Sequence, residues 1–96
     1  MIGEREKNIV FGAIHFIMGI TRAQLCSKSR LEQIVKGKKV LYKLLKNELK
    51  LSYHVISKFT KSNHSTVIFH VADKDPEVLK LYDKVLKECK KLGLGK

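Results

Sequence analysis

The apolar residues of this chain recur every three to four positions, the spacing of a helix with one buried face. Six segments show this pattern, separated by short polar breaks. The expected helices cover residues 4–20, 22–26, 31–50, 53–59, 64–73 and 76–92. Apolar and polar residues nowhere alternate over the length of a strand. The pattern therefore predicts an all-α fold, a small multi-helix domain.

Residues that commonly begin or end helices stand at the borders of these segments. Gly19 is placed to stop the first helix, while Thr21, Ser52 and Asn63 are placed as N-caps. Asp75 precedes a proline and a glutamate, which together mark the start of the last helix. These local signals predict most helix boundaries without reference to the rest of the fold.

The third helix has two candidate starts in the sequence. It begins near Leu31, or it begins just beyond Gly37 if residues 35–38 form a loop or kink. In either case the lysines of this helix are expected on its polar side, at positions 39, 43, 46 and 50.

Each helix is expected to turn its apolar stripe to a common core. The inward positions are Ile9, Val10, Ala13, Ile14, Phe16, Ile17, Val40, Leu41, Leu44, Leu45, Leu49, Val55, Ile56, Phe59, Val67, Ile68, Val71, Val78, Leu79, Leu81, Tyr82, Val85, Leu86 and Cys89. His15 lies among the apolar residues of the first helix and is expected to pack there rather than to bind a metal.

Length and charge narrow the classes of function. Ninety-six residues suit one domain, residues 1–96, and are too few for a large multi-domain enzyme. No apolar run is long enough to span a membrane, and Cys26 and Cys89 lack the spacing of a metal or redox motif, so reduced thiols and a cytoplasmic location are expected. The net charge of +11 favours a polyanionic partner. Residues 28–50 alone carry eight basic and two acidic side chains, over half of that excess.

Residues 52–73 have the layout of a helix-turn-helix: a short helix, a tight turn and a second helix that opens with small polar residues. The opening turn is Asn63, His64, Ser65 and Thr66, whose short donors and acceptors can reach base edges in a major groove. The alternative is a structural role, in which Asn63 only caps the helix and Thr66 bonds its own backbone. A helical hairpin of this kind is common, so the pattern alone leaves both readings open.

The stretch Phe59-Thr60-Lys61-Ser62-Asn63-His64-Ser65-Thr66-Val67-Ile68 resembles the signature F-G-G-R-D-H-T-T-V-L of the C-terminal DNA-binding domain (domain IV) of the bacterial replication initiator DnaA. Leu25-Cys26-Ser27-Lys28-Ser29-Arg30 resembles that family's L-L-S-K-R-R. The resemblance implies a Trp-repressor-like helix-turn-helix that reads a short duplex site as a monomer, its recognition helix (63–73) in the major groove and its basic loop (28–39) on the backbone and adjacent minor groove.

Carried over by position, the resemblance implies base contacts by Asn63, His64, Ser65 and Thr66. The backbone and loop contacts that it implies are Lys28, Arg30, Lys36, Lys38, Lys39, Lys61 and Ser62. Ser62 replaces the family's arginine, Asn63 replaces its aspartate, and Thr60 and Lys61 replace its two glycines. The lost arginine removes a bidentate contact, so the sequence preference is expected to differ from that of the family.

The sequence therefore predicts a double-stranded DNA-binding protein, bacterial or phage-encoded, that acts at replication origins or regulatory sites. No phosphate-binding loop, catalytic constellation or metal-ligand spacing is visible, so we expect no enzyme activity, no cofactor and no metal. Replication proteins are further candidate partners, a membrane is not, and the chain is expected to be a monomer or weak dimer. Two alternatives remain open: a protein-interaction module that binds or inhibits a replication initiator, and an RNA-binding helical module.

Overall fold

A computed structural model describes residues 3–28 and 30–94, and within these ranges the chain forms six helices and no strand. The helices are α1 (Glu4–Met18), α2 (Arg22–Leu25), α3 (Glu32–Asn47), α4 (Tyr53–Thr60), α5 (His64–Ala72) and α6 (Pro76–Lys91). The all-α fold expected from the apolar spacing is confirmed.

The helix borders follow the local capping chemistry of the sequence. Gly19 ends α1 in the left-handed conformation, with φ of 70°. At each predicted N-cap, a side-chain oxygen accepts a hydrogen bond from a backbone N–H in the first turn of the helix that follows. These donors are Gln24 for Thr21, Val55 for Ser52, Ser65 for Asn63 and Glu77 for Asp75. Short-range hydrogen bonds are therefore sufficient to set these starts.

The third helix takes the earlier of its two candidate starts and runs through Gly37 without a loop. A Cβ atom at Gly37 would lie 2.7 Å from Cδ1 of Ile20 and 3.0 Å from Cδ2 of Leu25, both of which are buried. The glycine thus lets α3 approach the segment around α2 closely. The expected basic loop over residues 28–39 is wrong in extent, because only residues 26–31 separate α2 from α3.

Helix α3 lies at the centre of the fold. Its apolar residues Val40, Leu41, Leu44 and Leu45 are fully buried, and it packs against every other helix. Helix α6 packs mainly on α1 and α3, whereas α5 packs on α3 and α4. The hairpin formed by α4 and α5 is therefore supported from behind by α3.

Several residues expected in the core are exposed. Phe16 is 74% exposed, and Val55, Ile68 and Leu79 lie at the edges of their helices' buried stripes with more than a third of their surface open. The apolar stripe of each helix is wider than the partner surface it meets, so its margins remain in solvent. His15 is also exposed rather than packed, because it lies about 100° around α1 from the buried Ile14.

Lys43 is buried, although its position in the sequence predicts exposure. Helical spacing places it on the polar side of α3, but only 5% of its surface is exposed. The two cysteines are free, as expected, with Cys26 half-buried and Cys89 buried. In the part of the chain that the structure describes, no helix has the length and apolar character that crossing a bilayer requires.

Candidate nucleic-acid interface

The turn between α4 and α5 is held by hydrogen bonds within itself. Lys61 adopts the left-handed conformation, with φ of 55°, and ends α4. Beyond it, the Ser62 N–H donates to the Ser57 carbonyl at 3.0 Å, and the Ser57 hydroxyl donates to the Ser62 carbonyl at 2.6 Å. Inside the hairpin, the buried Thr60 hydroxyl donates to the Ile56 carbonyl at 2.7 Å. The direction in which α5 leaves α4 is therefore fixed locally.

The same turn is anchored to α3 through Ser62. Its hydroxyl lies 2.5 Å from the hydroxyl of Tyr42, a side chain that is 1% exposed. Ser62 is half-buried and its hydroxyl faces this partner, so it anchors the turn; its implied contact with the DNA backbone stays a prediction.

The first turn of α5 faces solvent. Asn63, His64, Ser65 and Thr66 are all exposed, and the first buried side chain of the helix is Val67. Asn63 Oδ1 accepts a hydrogen bond from the Ser65 N–H at 2.9 Å, while the side-chain amide of Asn63 is a donor on the same surface. The four predicted base-contacting residues thus form one exposed polar edge.

Two residues beside this edge were not foreseen from the sequence. The ring of Tyr53 lies edge-on to the His64 ring, with 6.1 Å between centroids, and Lys46 Nζ lies 4.5 Å from the Tyr53 centroid. The cation–π contact holds a lysine of α3 close to the start of α5. Their spacing along the chain gave no signal, since Lys46 and Tyr53 belong to different helices.

The charge around α5 is one-sided. Residues 49–72 contain no aspartate or glutamate, so neither α4 nor α5 carries a carboxylate. The next carboxylate along the chain is Asp73, whose Oδ1 lies 3.5 Å from Lys39 Nζ. An anionic ligand approaching the exposed edge would therefore meet little electrostatic repulsion from these two helices.

Lys43 secures the other end of α5. Its ammonium group donates to the Val71 carbonyl at 2.9 Å and to the Asp73 carbonyl. A cation at the C-terminus of a helix opposes the negative end of the helix dipole. Burial lowers the pKa of Lys43, and the nearby Asp73 carboxylate partly offsets that effect.

His70 lies on the inner side of α5. Its ring centroid is 5.5 Å from that of Tyr42, and its Nδ1 is buried with no hydrogen-bond partner among the described residues. Burial lowers the pKa of His70, and the charges of Lys39 and Lys38 lower it further. Both effects favour the neutral imidazole. Within residues 3–28 and 30–94 no three metal-ligating side chains come together.

The predicted backbone-contacting residues divide into two groups. Lys28, Arg30 and Lys61 are exposed, as a phosphate contact requires. The other cations, Lys36, Lys38 and Lys39, are half-buried on α3 instead of lying in a loop. The three half-buried lysines therefore belong to a helix and not to the implied loop, while the DNA contacts of both groups stay predictions.

Each lysine of the second group contacts a protein acceptor. Lys36 Nζ lies 3.1 Å from Glu32 and 2.8 Å from Glu77, and these two carboxylates raise its pKa. Lys39 pairs with Asp73, and Lys38 donates to the Ser27 carbonyl at 2.5 Å. Burial lowers the pKa of Lys38. These contacts join α3 to its neighbours, which the one-dimensional count of basic residues could not show.

Lys38 also relates the short basic loop to α5. It bonds the Ser27 carbonyl in that loop, and it is close enough to His70 for its charge to lower the pKa of that histidine. Lys38 therefore contacts this loop and lies near the C-terminal half of α5. Lys28 and Arg30, in the same loop, are exposed.

Comparison with known proteins adds one relative. The chain is 30% identical over 76 residues to the chromosomal replication initiator protein DnaA of Kosmotoga olearia. The alignment covers 79% of this chain and 17% of that protein, so the chain spans less than a fifth of its relative's length. No protein-family model matches the chain, and no solved structure matches it.

Proposed function

We propose that this protein binds double-stranded DNA sequence-specifically, with α5 in the major groove and the loop of residues 26–31 on the adjacent backbone or minor groove. The observation that carries the proposal is the exposed Ser65 and Thr66 pair on a helix whose position is fixed at both ends. A recognition helix has to present short polar groups on a rigid support, and α5 does both.

The proposed DNA contacts are of two kinds: contacts with base edges, which select a sequence, and contacts with phosphates, which do not. The hydroxyls of Ser65 and Thr66 and the amide of Asn63 can donate to or accept from base edges, and His64 can contact a base or a phosphate. Lys28 and Arg30 supply phosphate contacts that carry no sequence information. The proposed activity is binding alone, with no chemical step.

The similarity to a replication initiator suggests where such binding acts. We place the chain with the DNA-binding domain IV of the DnaA family, as the resemblance around residues 59–68 implies, and propose replication origins or regulatory sites as its targets. Because Ser62 stands where the family signature has an arginine, we propose that this chain prefers a different DNA sequence from that of the family.

The first experiment is a fluorescence anisotropy titration against duplex DNA, single-stranded DNA and RNA of equal length, at about 50 and 200 mM salt. We expect tightest binding to duplex DNA, with an affinity that falls steeply at the higher salt. Equal or tighter binding to RNA would support the RNA-binding alternative. Salt-insensitive association with a protein and none with duplex DNA would support the interaction-module alternative.

A further inference from the structure

Helix α5 also exposes a large aromatic side chain. Phe69 is 69% exposed, and its neighbour Ile68 is 39% exposed. Phe69 lies one helical turn after Ser65 and three residues after Thr66, so the three side chains share the outer face of the helix. The apolar spacing assigns Val67, Ile68 and Val71 to the core and gives Phe69 no role.

The Phe69 ring has an aromatic neighbour on its own helix. Its centroid lies 6.1 Å from that of His70, edge to face, and the His70 ring in turn lies against the buried Tyr42 of α3. At 100° per residue, position 69 falls between positions 65 and 66 around the helix axis, one turn further along. An exposed apolar surface therefore adjoins the polar edge.

We propose that Phe69 is a specificity-determining residue that contacts thymine methyl groups in the major groove. The inference rests on the proposed function and adds the class of base pair that the site requires. Thymine alone among the four bases presents a C5-methyl group in that groove, and an aromatic side chain can pack against it with loss of water from both surfaces. The site is thus expected to contain thymine next to the bases read by Ser65 and Thr66.

The surroundings of Phe69 favour DNA over a protein as the occupant of this face. Ser65 and Thr66 with their hydroxyls lie one turn before Phe69, and residues 49–72 lack carboxylates. Asp73, one turn after Phe69, is paired with Lys39. A surface with few unpaired carboxylates suits the phosphate backbone on either side of a major groove.

The test begins with selection of a binding site for the unmodified protein from a random duplex library. The selected duplex is then made in two forms, one with thymine and one with deoxyuridine, which differ only by the methyl groups. We expect the protein to bind the uracil form about fourfold more weakly for each methyl group contacted. Phe69→Ala should bind the thymine form about tenfold more weakly than the unmodified protein and should no longer distinguish the two forms.

Two further variants serve as controls. Phe69→Leu keeps an apolar side chain and should retain part of the discrimination. Phe16→Ala removes a similarly exposed phenylalanine that lies on α1. This variant should keep the unmodified protein's ratio of affinities for the thymine and uracil forms of the duplex. Circular dichroism establishes that each variant is folded, as expected for changes at exposed positions.

The possible failures are distinct. If the unmodified protein shows no preference for any duplex, the proposed function itself is wrong and this inference falls with it. If the protein binds its site but Phe69→Ala keeps the original thymine-to-uracil ratio, or if the selected site lacks thymine, only the role of Phe69 is overturned. A Phe69→Ala variant that keeps the ratio but changes self-association in ultracentrifugation would assign this face to a protein contact instead.

Discussion

The hydroxyl of Tyr42 shows how a single buried atom can position a distant turn. It lies in the interior of the fold, yet it contacts Ser62 just before the start of α5. A buried polar group without its partner is costly, so this bond constrains the turn as well as stabilising it. Single side chains of this kind decide whether the polar edge is presented rigidly.

Tyr42→Phe tests that contact. We expect it to lower the free energy of unfolding by about 1 kcal/mol, because one buried hydrogen bond is lost and the Ser62 hydroxyl is left without it. The matching fall in melting temperature is about 4–8 °C for a domain of this size. Tyr82→Phe is the control, since its bond to Glu48 is exposed and 3.3 Å long, and it should have a much smaller effect. Equal effects in urea titrations would contradict the role given to Tyr42.

Thr66→Ala and Arg30→Ala separate base reading from backbone attraction. Thr66→Ala should weaken binding to the selected duplex about tenfold and leave binding to a scrambled duplex unchanged. Arg30→Ala should weaken binding to both duplexes by the same factor, because a phosphate contact is insensitive to sequence. For each variant, anisotropy titrations give the ratio of its affinity for the selected duplex to its affinity for the scrambled duplex. Identical ratios for the two variants would show that this division of roles is wrong.

His70 links the stability of the fold to pH. The pKa of His70 is lowered in the folded protein from its usual 6.5, so the unfolded chain binds a proton more readily. The stability that neutral His70 contributes is thus complete above pH 6.5 and is lost as the pH falls below it toward the folded-state pKa. Urea titrations at pH 7.5 and 5.5 give the free energy of unfolding at each pH. Its change between the two pH values should be smaller for His70→Gln than for the unmodified protein. An equally large change in the variant would show that other groups cause the pH dependence.

At the scale of elements, α5 is a short helix fixed at both ends. Asn63 and the turn before it determine where the helix begins, while Lys43 binds the carbonyls at its end. A nine-residue helix has little stability in isolation, so these end contacts and the packing on α3 and α4 maintain it. The recognition role that we propose requires this support.

Lys43→Met keeps the length of the side chain and removes its charge. We expect a loss of about 2 kcal/mol in unfolding free energy, since a charged hydrogen bond at a helix C-terminus disappears and two carbonyls lose their donor. Backbone amide hydrogen exchange should become faster in the last turn of α5 and should change much less in α1 and α6. Lys80→Met, on the exposed side of α6, is the control and should change little. Uniform acceleration in all helices would argue against a local role.

For the whole molecule, the relevant quantity is the number of cations that face the ligand rather than the net charge. Lys36, Lys38 and Lys39 contact acceptors within the protein, whereas Lys28, Arg30 and Lys61 are exposed. The overall charge of +11 therefore overstates the charge available for binding. Salt dependence measures the available part directly.

A double variant, Lys28→Ala with Arg30→Ala, should reduce the slope of log affinity against log salt by about 2. Lys80→Ala with Lys84→Ala removes the same net charge from α6, which packs mainly on α1 and α3, and should leave the slope nearly unchanged. Equal slopes for the two double variants would mean that net charge alone drives binding.

The sequence was sufficient to predict the helices and the exposed edge of α5. Thr21, Ser52, Asn63 and Asp75 act as N-caps through bonds that span two or three residues, so their effect does not depend on the rest of the fold. The polar character of residues 63–66 likewise follows from their order along one helix turn. The site residues themselves, as DNA contacts, stay a prediction.

The tertiary structure decided which cations remain exposed and what Gly37 does. The sequence placed Lys43 on a polar face and left open whether Gly37 lies in α3 or in a loop before it, whereas in the fold Lys43 lies against the end of α5 and Gly37 against Ile20 and Leu25. The partners in these contacts stand from 12 to 30 residues away, a distance that no helical periodicity spans. Local hydrogen bonds determined where α2, α4, α5 and α6 begin, but only packing between helices determined which side chains were left for a ligand.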